Sequence, residues 1–356
     1  MGTAQATPIR SAVAEALETL HEQEVTEQAL REQIAPYVEA AERLFPQYLI
    51  ELREMGRAAD VPFDVLFRWN CYESRPPGSR RPGERRARGG TLPAKDPAVL
   101  AQANAEPVVD GPLPVASGGG GCTSVVSRGE RGFVVGHTED SWPEAMEGLY
   151  LLDATVEEPD GTANRFKALN YAQTLPGCAA AVNGHGLIVL IDALPDPERN
   201  VGAPRHVVSR ALLDAPAIEP AIDLLRSTER GGGWNYLLVQ GERMANVEAT
   251  ATRVVVTESG RAATFAHTNH YLDPALAAAA GEGWPNSLAR LARATELVRP
   301  DMSLDDMKRL LSDRQGFPDS ICRERTIGAF VAATAARRIE VCWGEPDTGT
   351  WSAYGY

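Results

Sequence analysis

The chain has 356 residues, of which 44% are hydrophobic and 23% are charged, a balance typical of folded proteins that excludes global disorder. Acidic residues outnumber basic ones by 48 to 35, and the net charge of −13 argues against binding to nucleic acid or to anionic membranes. No apolar run is long enough to span a bilayer, and the N-terminus lacks a signal-peptide core, so we expect a cytoplasmic protein.

The first 74 residues predict a helical N-terminal segment. Apolar residues recur at helical spacing over 12–45 and again over 45–74, with breaks at Gly56 and Pro62. The stretch from Phe67 to Tyr72 fits either a helix end or a short strand.

Residues 75–121 predict a flexible linker because they are rich in Pro, Gly, Arg and small side chains and offer little to bury. The arginines of this stretch form a basic cluster in an acidic protein. They fit a solvated linker or, alternatively, a site for nucleic acid or an acidic partner.

Residues 122–356 alternate between β-prone runs and helical stretches. Short apolar runs such as CTSVVSR, GFVVGHT and GLIVLIDAL are bounded by Gly, Pro, Asn or charge and predict strands. The stretches HVVSRALLDAPAIEPAIDLLRS and SLARLARATELVR predict helices. This arrangement favours stacked α and β layers over a strict βαβ alternation.

The five cysteines are odd in number and form no Cys-x-x-Cys pair, which argues against a disulfide framework and a structural zinc site. Most should be small buried residues, but Cys122 directly follows a glycine run and opens a strand. If the Gly121–Cys122 bond is cut, Cys122 carries both a thiol and an α-amine. An α-amine has a pKa of about 7.7 to 8 and can serve as the base for its own thiol.

Three further segments, taken together with this junction, form a combination specific enough to indicate a protein family. Asp140 lies eighteen positions after Cys122 in Gly-His-Thr-Glu-Asp, a His-Thr-Asn-His segment covers 267–270, and Pro-Asp-Ser-Ile-Cys-Arg covers 318–323. In order and spacing the chain resembles the isopenicillin N acyltransferase family, the acyl-coenzyme A:6-aminopenicillanic acid acyltransferases, which are self-cleaving N-terminal nucleophile hydrolases. The resemblance covers most of the chain apart from about 75–117.

The resemblance implies an α+β fold, the four-layer αββα sandwich. It divides the chain into a helical propeptide or α subunit over 1–74, a linker over 75–121 that ends at the cleavage site, and a catalytic β subunit over 122–356. The cleaved N-terminal segment would remain as a partner subunit. Metals and organic cofactors are not implied.

The resemblance also assigns residues. Cys122 matches the nucleophile, Asn269 the side-chain oxyanion donor, and Asp140 a carboxylate near the nucleophile that could assist self-cleavage. Arg323 matches an arginine that could pair with Asp140 or with a substrate carboxylate. The candidate substrate-binding residues lie in the matching segments and are His137, Thr138, Glu139, Thr268 and Ser320.

The expected activity is hydrolysis or acyl transfer on the amide or thioester of a small N-acylated amine, such as a β-alanyl amine or an acylated natural-product intermediate. Acyl-coenzyme A or a second amine would be the other partner in a transfer. Substrate identity does not carry over from the family, because the residues around Asp140 differ from its usual Asn and Trp. A second family arginine is matched only approximately, by Arg325.

Three other interpretations remain open. A papain-type Cys–His pair would use His267 or His270, although no helix is predicted after Cys122. A glycosidase pair of Glu139 and Asp140 is disfavoured because neighbouring residues of a strand point to opposite faces. The chain could also be an uncleaved binding module of the same fold. The two histidines of 267–270 fit structural hydrogen bonding better than zinc ligation.

Overall fold

The computed structural model describes residues 7, 9–11, 13–14, 26–71, 73, 121–157, 163–195, 197–198, 200–258, 263–281 and 285–356. Most of the predicted linker, residues 75–120, lies outside the described residues. Its last residue, Gly121, is the first residue of a strand rather than part of a linker, because its backbone pairs with a neighbouring strand.

Two antiparallel sheets lie at the centre of the fold. The strands of the first sheet are β1 (Gly121–Gly129), β2 (Gly132–Asp140), β10 (Thr264–His267), β11 (Thr326–Ala333), β12 (Arg338–Trp343) and β13 (Thr350–Gly355). The strands of the second are β3 (Leu149–Glu157), β4 (Ala163–Tyr171), β5 (Ala180–Asn183), β6 (Ile188–Asp192), β7 (Asn235–Gln240), β8 (Arg243–Ala249) and β9 (Val254–Glu258). The first sheet has the order β10-β1-β2-β11-β12-β13, and the second runs in sequence from β3 to β9.

The described helices flank these sheets or precede them. They are α1 (Glu27–Leu44), α2 (Pro46–Ala59), α3 (Phe63–Asn70), α4 (Arg205–Leu212), α5 (Ile218–Ser227), α6 (Pro274–Ala280), α7 (Pro285–Leu297) and α8 (Leu304–Leu311). Of the helices in the described ranges, none is both long and apolar enough to cross a membrane.

Alternation of side chains along the strands gives each sheet two apolar faces. Phe330 of β11 and Leu190 of β6 belong to the core between the two sheets. Their neighbours face outward: Val331 packs with α7 and α8, whereas Val189 packs with α4 and α5. The layers therefore follow the order helix, sheet, sheet, helix, and the expected αββα sandwich is confirmed.

Helices α1–α3 pack against α4 through a separate apolar cluster that includes Leu52, Leu66 and Val207. Two buried arginines of α4 add charge-assisted hydrogen bonds. Arg210 donates from Nε and Nη2 to the two carboxylate oxygens of Glu51 at 3.0 and 2.7 Å. Arg205 donates from Nε to Glu73 Oε1 at 2.7 Å. These bonds fix the N-terminal helices to the sandwich.

Several strands were not evident from periodicity. Strands β4, β10, β11 and β13 contain charged residues, glycine or a mixture of polar and apolar residues. They are strands because they pair with neighbouring strands of the sheets. The run MANVEATATRVVV forms two strands, β8 and β9, instead of one. The stretch that begins at Phe67 is the end of α3.

We expect Glu51→Ala to destabilise the protein, because it leaves Arg210, 1% exposed, with only Asp214 as an ionic partner. Loss of one partner of a fully buried pair costs about 3 to 5 kcal/mol. Since the Glu51 side chain is 27% exposed, we expect a loss of about 2 to 3 kcal/mol in urea unfolding.

The matched control is Glu54→Ala on the same helix, where the carboxylate pairs with the exposed Arg57. It should change the free energy of unfolding by less than about 0.5 kcal/mol. Equal losses in the two variants would show that the Arg210 pair does not attach the N-terminal helices.

Candidate active site

The site begins with the register between β1 and β2. Cys122 lies opposite Glu139, and Gly121 lies opposite Asp140. Because directly opposed side chains of an antiparallel pair point to the same face, the Cys122 thiol and the Glu139 carboxylate meet on one side of the sheet. Gly121 and Asp140 face the other side.

The Cys122 side chain is buried, and its thiol faces a carboxylate. Sγ donates a hydrogen bond to Glu139 Oε2 at 3.7 Å, and the residue is 6% exposed. Burial raises the pKa of the thiol well above its ordinary value, and the charges of Glu139, Asp192 and Asp140 raise the pKa further. The thiol is therefore protonated at neutral pH in the uncut chain.

The backbone nitrogen of Cys122 is held by Asn269. Its N–H donates to Asn269 Oδ1 at 2.8 Å, and Arg290 Nη2 donates to the same oxygen at 2.7 Å. Because both partners are donors, the orientation of the amide is fixed. Its Nδ2 donates away from Cys122, to the carbonyl oxygen of Ala193 at 2.9 Å. An oxyanion role for Asn269 would therefore require release of Ala193.

Arg290 of α7 is completely buried beside the Gly121–Cys122 bond. Its Nη1 donates to the carbonyl oxygen of Cys122 and, at 3.0 Å, to Thr123 Oγ1. Burial lowers the pKa of the guanidinium, but nearby acidic groups counter this, and arginine remains charged in proteins. A buried cation thus lies at the backbone of Cys122.

Gly121 has no room for a side chain. A Cβ at this position would lie 2.6 Å from Arg323 Nη2, 2.9 Å from Arg290 Nη2 and 3.0 Å from Asn269 Oδ1. The residue before Cys122 therefore fits between two guanidinium groups and an amide only because it is glycine.

Asp140 and Arg323 form a buried ion pair on this same side. Arg323 Nε donates to Asp140 Oδ2 at 2.7 Å, and Thr326 Oγ1 donates to Oδ1 at 2.7 Å. Of the two partners considered for Arg323, the structure places Asp140 in contact. The pair holds the Arg323 guanidinium beside Gly121.

A chain of buried polar groups extends behind Glu139, and we call it the polar network. Tyr171 donates its hydroxyl to Glu139 Oε1 at 2.7 Å, and His137 Nε2 donates to Oε2 at 3.1 Å. His137 Nδ1 lies 3.0 Å from Ser124 Oγ, and Ser124 donates to Asp192 Oδ1 at 2.9 Å.

The polar network continues from Asp192 to His267 and Glu248. His267 Nδ1 lies 3.1 Å from Asp192 Oδ2, and Nε2 lies 3.0 Å from Glu248 Oε1. Burial alone would lower the pKa of His267, but the hydrogen bonds and charges of these two carboxylates raise it to about 9. The resulting imidazolium joins β10 of the first sheet to β6 and β8 of the second.

Among the described residues, Cys122, His137 and Glu139 are the one group of metal-binding side chains whose ligand atoms all lie within 4.8 Å. A thiophilic metal bound there would occupy the thiol and Glu139 Oε2. Such a metal would block attack by Cys122 instead of promoting it.

The other predicted residues support the backbone around the site. Thr138 Oγ1 accepts from the Thr123 N–H at 3.2 Å, Thr268 donates to the Ser287 carbonyl oxygen at 3.0 Å, and Ser320 donates to the Cys322 carbonyl oxygen. Hydrogen bonds from these three side chains to Cys122 are absent within the described part of the chain.

The histidine nearest to Cys122 is not one of the two that the sequence suggested for a Cys–His pair. His270 is bonded to Ser287 Oγ at 2.8 Å, and His267 is held by its two carboxylates. His137 is the histidine whose nitrogen lies within 4.8 Å of Cys122 Sγ, and Glu139 bonds to both. Moreover, Cys122 lies within strand β1, so it lacks the helix N-terminus of a papain-type site.

Three charged site residues escaped the sequence analysis, and each left a signal. Arg290 shares one helical face with Ser287 and Ala294, both buried. Asp192 ends the otherwise apolar run LIVLID, and Glu248 lies inside a buried strand. A charged residue in an apolar pattern is rarely buried unless it is paired, so these positions are candidates for a network.

Comparison with known proteins gives a family and several relatives. Residues 127–348, more than half of the chain, match the family model described as acyl-coenzyme A:6-aminopenicillanic acid acyl-transferase. The match begins five residues after Cys122. A curated relative, the β-alanyl-dopamine/carcinine hydrolase of Drosophila melanogaster, is 26% identical over 194 residues. That alignment spans 52% of this chain and 42% of the relative.

Two solved structures are also similar. The Caenorhabditis elegans ortholog of N-acylethanolamine-hydrolyzing acid amidase has 14% identity and a TM-score of 0.44, with 60% of this chain and 93% of that chain covered. A single-substitution variant of the conjugated bile acid hydrolase of Clostridium perfringens has 11% identity and a TM-score of 0.41, with coverages of 66% and 97%.

We predict that His267 stays protonated at pH 7.5 and titrates near pH 9. Because its pKa is higher in the folded state than the unfolded value of about 6.5, the stability it contributes is complete below pH 6.5. This stability, about 3 kcal/mol, is lost as the pH rises through about 9.

NMR titration of the imidazole carbons tests this prediction, with His267→Gln for assignment and the exposed His185→Gln as a control. A His267 signal that titrates at or below pH 6.5 would show that the two carboxylates do not hold a proton on the imidazole.

Proposed function

Because the chain belongs to the acyl-coenzyme A:6-aminopenicillanic acid acyl-transferase family, we propose that it cuts its own Gly121–Cys122 bond and becomes an N-terminal-cysteine amidohydrolase. The freed Cys122 then attacks the amide of a small N-acylated amine. The single observation that carries this proposal is the surroundings of Cys122, whose thiol faces a carboxylate while its nitrogen is held by Asn269.

Cleavage would supply the base that the uncut chain lacks. As an amide, the Cys122 nitrogen cannot accept a proton, but as an α-amine it has a pKa of about 7.7 to 8 and can take the proton of the thiol. The thiolate attacks the substrate carbonyl, and the ammonium returns its proton to the leaving amine. Water then hydrolyses the acyl-thioester on Cys122 and restores the thiol.

The groups around Cys122 would position this α-amine. Asn269 Oδ1 already accepts from the Cys122 nitrogen and can accept from the amine in the same place. Asp140 keeps Arg323 beside the scissile glycine, and two guanidinium groups there can stabilise negative charge on a carbonyl oxygen. We therefore assign Asn269 first to positioning the amine, with its predicted oxyanion role second.

The curated relative supports a β-alanyl amine as the substrate class, since its name gives β-alanyl-dopamine and carcinine as substrates. It also supports hydrolysis over transfer. Transfer to a second amine, or from acyl-coenzyme A, remains the alternative where water is excluded from the thioester. The N-terminal helices would stay attached as the second subunit through the Glu51 and Glu73 ion pairs.

We expect Cys122→Ala to abolish both self-cleavage and hydrolysis, because the same sulfur performs both reactions. The assay is release of dopamine or histamine from the β-alanyl amides by the purified full chain. The matched control is Cys342→Ala, a buried cysteine of β12, which should stay active. Hydrolysis by Cys122→Ala at the wild-type rate would refute Cys122 as the nucleophile, and wild type without activity on any N-acyl amine would favour a binding module.

We expect Gly121→Ala to slow self-cleavage by at least about tenfold, equivalent to about 1.4 kcal/mol in the barrier. The added Cβ would displace the side chains of Arg323 and Arg290. Arg323 is held by its hydrogen bond to Asp140, and Arg290 by its hydrogen bond to the Cys122 carbonyl oxygen. Gly355→Ala in β13 is the control, since the nearest atom to its Cβ lies at 3.9 Å. Pulse labelling followed by gel electrophoresis measures the rate; an unchanged rate in Gly121→Ala would contradict the role of the two guanidinium groups.

A further inference from the structure

Self-cleavage requires a proton acceptor other than the α-amine. Before the cut, the Cys122 nitrogen is an amide whose N–H donates to Asn269, so it has no lone pair for the thiol proton. The base used in substrate turnover therefore cannot serve the reaction that creates it. The following inference rests on the proposed self-cleavage and concerns its first step.

Glu139 is the acceptor that contacts the thiol. Its Oε2 receives the hydrogen bond from Cys122 Sγ, the one hydrogen bond that Sγ makes to a described residue. Asp140, the carboxylate expected to assist cleavage, faces the other side of the sheet, where it bonds to Arg323 and to Thr326. We propose that Glu139 is the catalytic base of self-cleavage.

Charge balance favours transfer to Glu139 over loss of the proton to water. Three carboxylates, those of Glu139, Asp140 and Asp192, already act on the buried thiol. Arg290 offsets part of this negative charge, but release of the thiol proton to water would still leave a buried thiolate as an additional anion, at a high desolvation cost. Transfer to Glu139 moves one negative charge by 3.7 Å and leaves the total unchanged.

The neighbours of Glu139 hold its carboxylate in place for this transfer. Tyr171 donates to Oε1, and His137 Nε2 donates to Oε2. Because a ring nitrogen of His137 lies within 4.8 Å of Cys122 Sγ, the imidazole remains close to the negative charge after this has moved to sulfur. The carboxylate is thus bonded at both oxygens and is oriented toward the thiol.

The step balances as follows. The Sγ–H bond breaks and its proton goes to Glu139 Oε2, while the sulfur forms a bond to the carbonyl carbon of Gly121. The bond from that carbon to the Cys122 nitrogen breaks, and Glu139 gives the proton to this nitrogen, which becomes the α-amine. Water then hydrolyses the Gly121 thioester, leaving a Gly121 carboxyl group and a free Cys122 thiol.

The substitution Glu139→Gln in the full chain distinguishes two possible roles of Glu139: a base that takes the thiol proton, or a carboxylate that acts only through its charge. The amide cannot take a proton, so we expect self-cleavage to slow by about 10² or more. Removal of the negative charge should lower the pKa of the thiol and accelerate alkylation of Cys122 by iodoacetamide in the uncut chain. If the carboxylate only raised the thiol pKa, the same substitution would accelerate cleavage.

Two further variants serve as comparisons. Tyr171→Phe keeps the carboxylate but removes one donor that orients it, so it should cleave more slowly than wild type, by less than about tenfold. Glu139→Asp withdraws the carboxylate by one methylene and should be slower than Tyr171→Phe, and it decides the question if Glu139→Gln does not fold. Thermal unfolding of each uncut chain checks the fold.

The outcomes distinguish the two proposals. If the wild-type chain cuts itself and both Glu139→Gln and Glu139→Asp do so at the same rate, the assignment of Glu139 as the base is overturned, whereas the proposed self-cleavage stands. A wild-type chain that never cuts would overturn the proposed function and this inference with it. Slow cleavage in both Glu139 variants, with faster alkylation in Glu139→Gln, is the result expected of a base.

Discussion

The pairing of β1 with β2 determines what each side of the site contains. With Cys122 opposite Glu139, one face of the sheet carries the thiol and its carboxylate toward the second sheet. The other face carries Gly121 and Asp140 toward the guanidinium groups of Arg290 and Arg323. A slip of one residue would reverse every side chain and separate the thiol from Glu139. The chemistry therefore depends on a register set by the backbone.

This register also explains why a polar network can exist between two apolar sheets. Ser124 and His137 lie on the Cys122 face and meet Asp192 of the second sheet, whereas two residues further along β1, Val126 belongs to the apolar core. Each carboxylate of the network is paired with hydrogen-bond donors, which offsets the cost of burial. Cys122 is thus held by a hydrogen-bonded support that spans both sheets.

The sequence predicted the fold class and brought Cys122, Asp140, Asn269 and Arg323 to notice through motifs spaced over two hundred residues. These motifs lie on β1 and β2, at the end of β10 and in the loop before β11, and the structure brings them together. The sequence did not predict which face each residue occupies, because facing depends on register. From the sequence alone, Glu139 is a candidate for substrate binding and Asp140 a candidate for assisting cleavage.

The other site residues and strands that the sequence analysis did not identify were missed for a similar reason. Arg290 belongs to a helix whose pattern is amphipathic, and only packing shows that it is completely buried beside the Cys122 carbonyl. The polar network joins residues that are up to 124 positions apart, from Ser124 to Glu248, and no local motif connects them. Strands such as β10 are short and gain their order from pairing with β1. Long-range contacts of this kind leave little trace in local periodicity.

The intact mass of the purified wild-type chain, combined with N-terminal sequencing, tests the central claim most directly. The account predicts two associated fragments in place of the 38.3 kDa chain, the larger of them beginning Cys-Thr-Ser from Cys122. A single uncut chain that hydrolyses N-acyl amines at full rate would contradict it, because Cys122 would then act without a free α-amine.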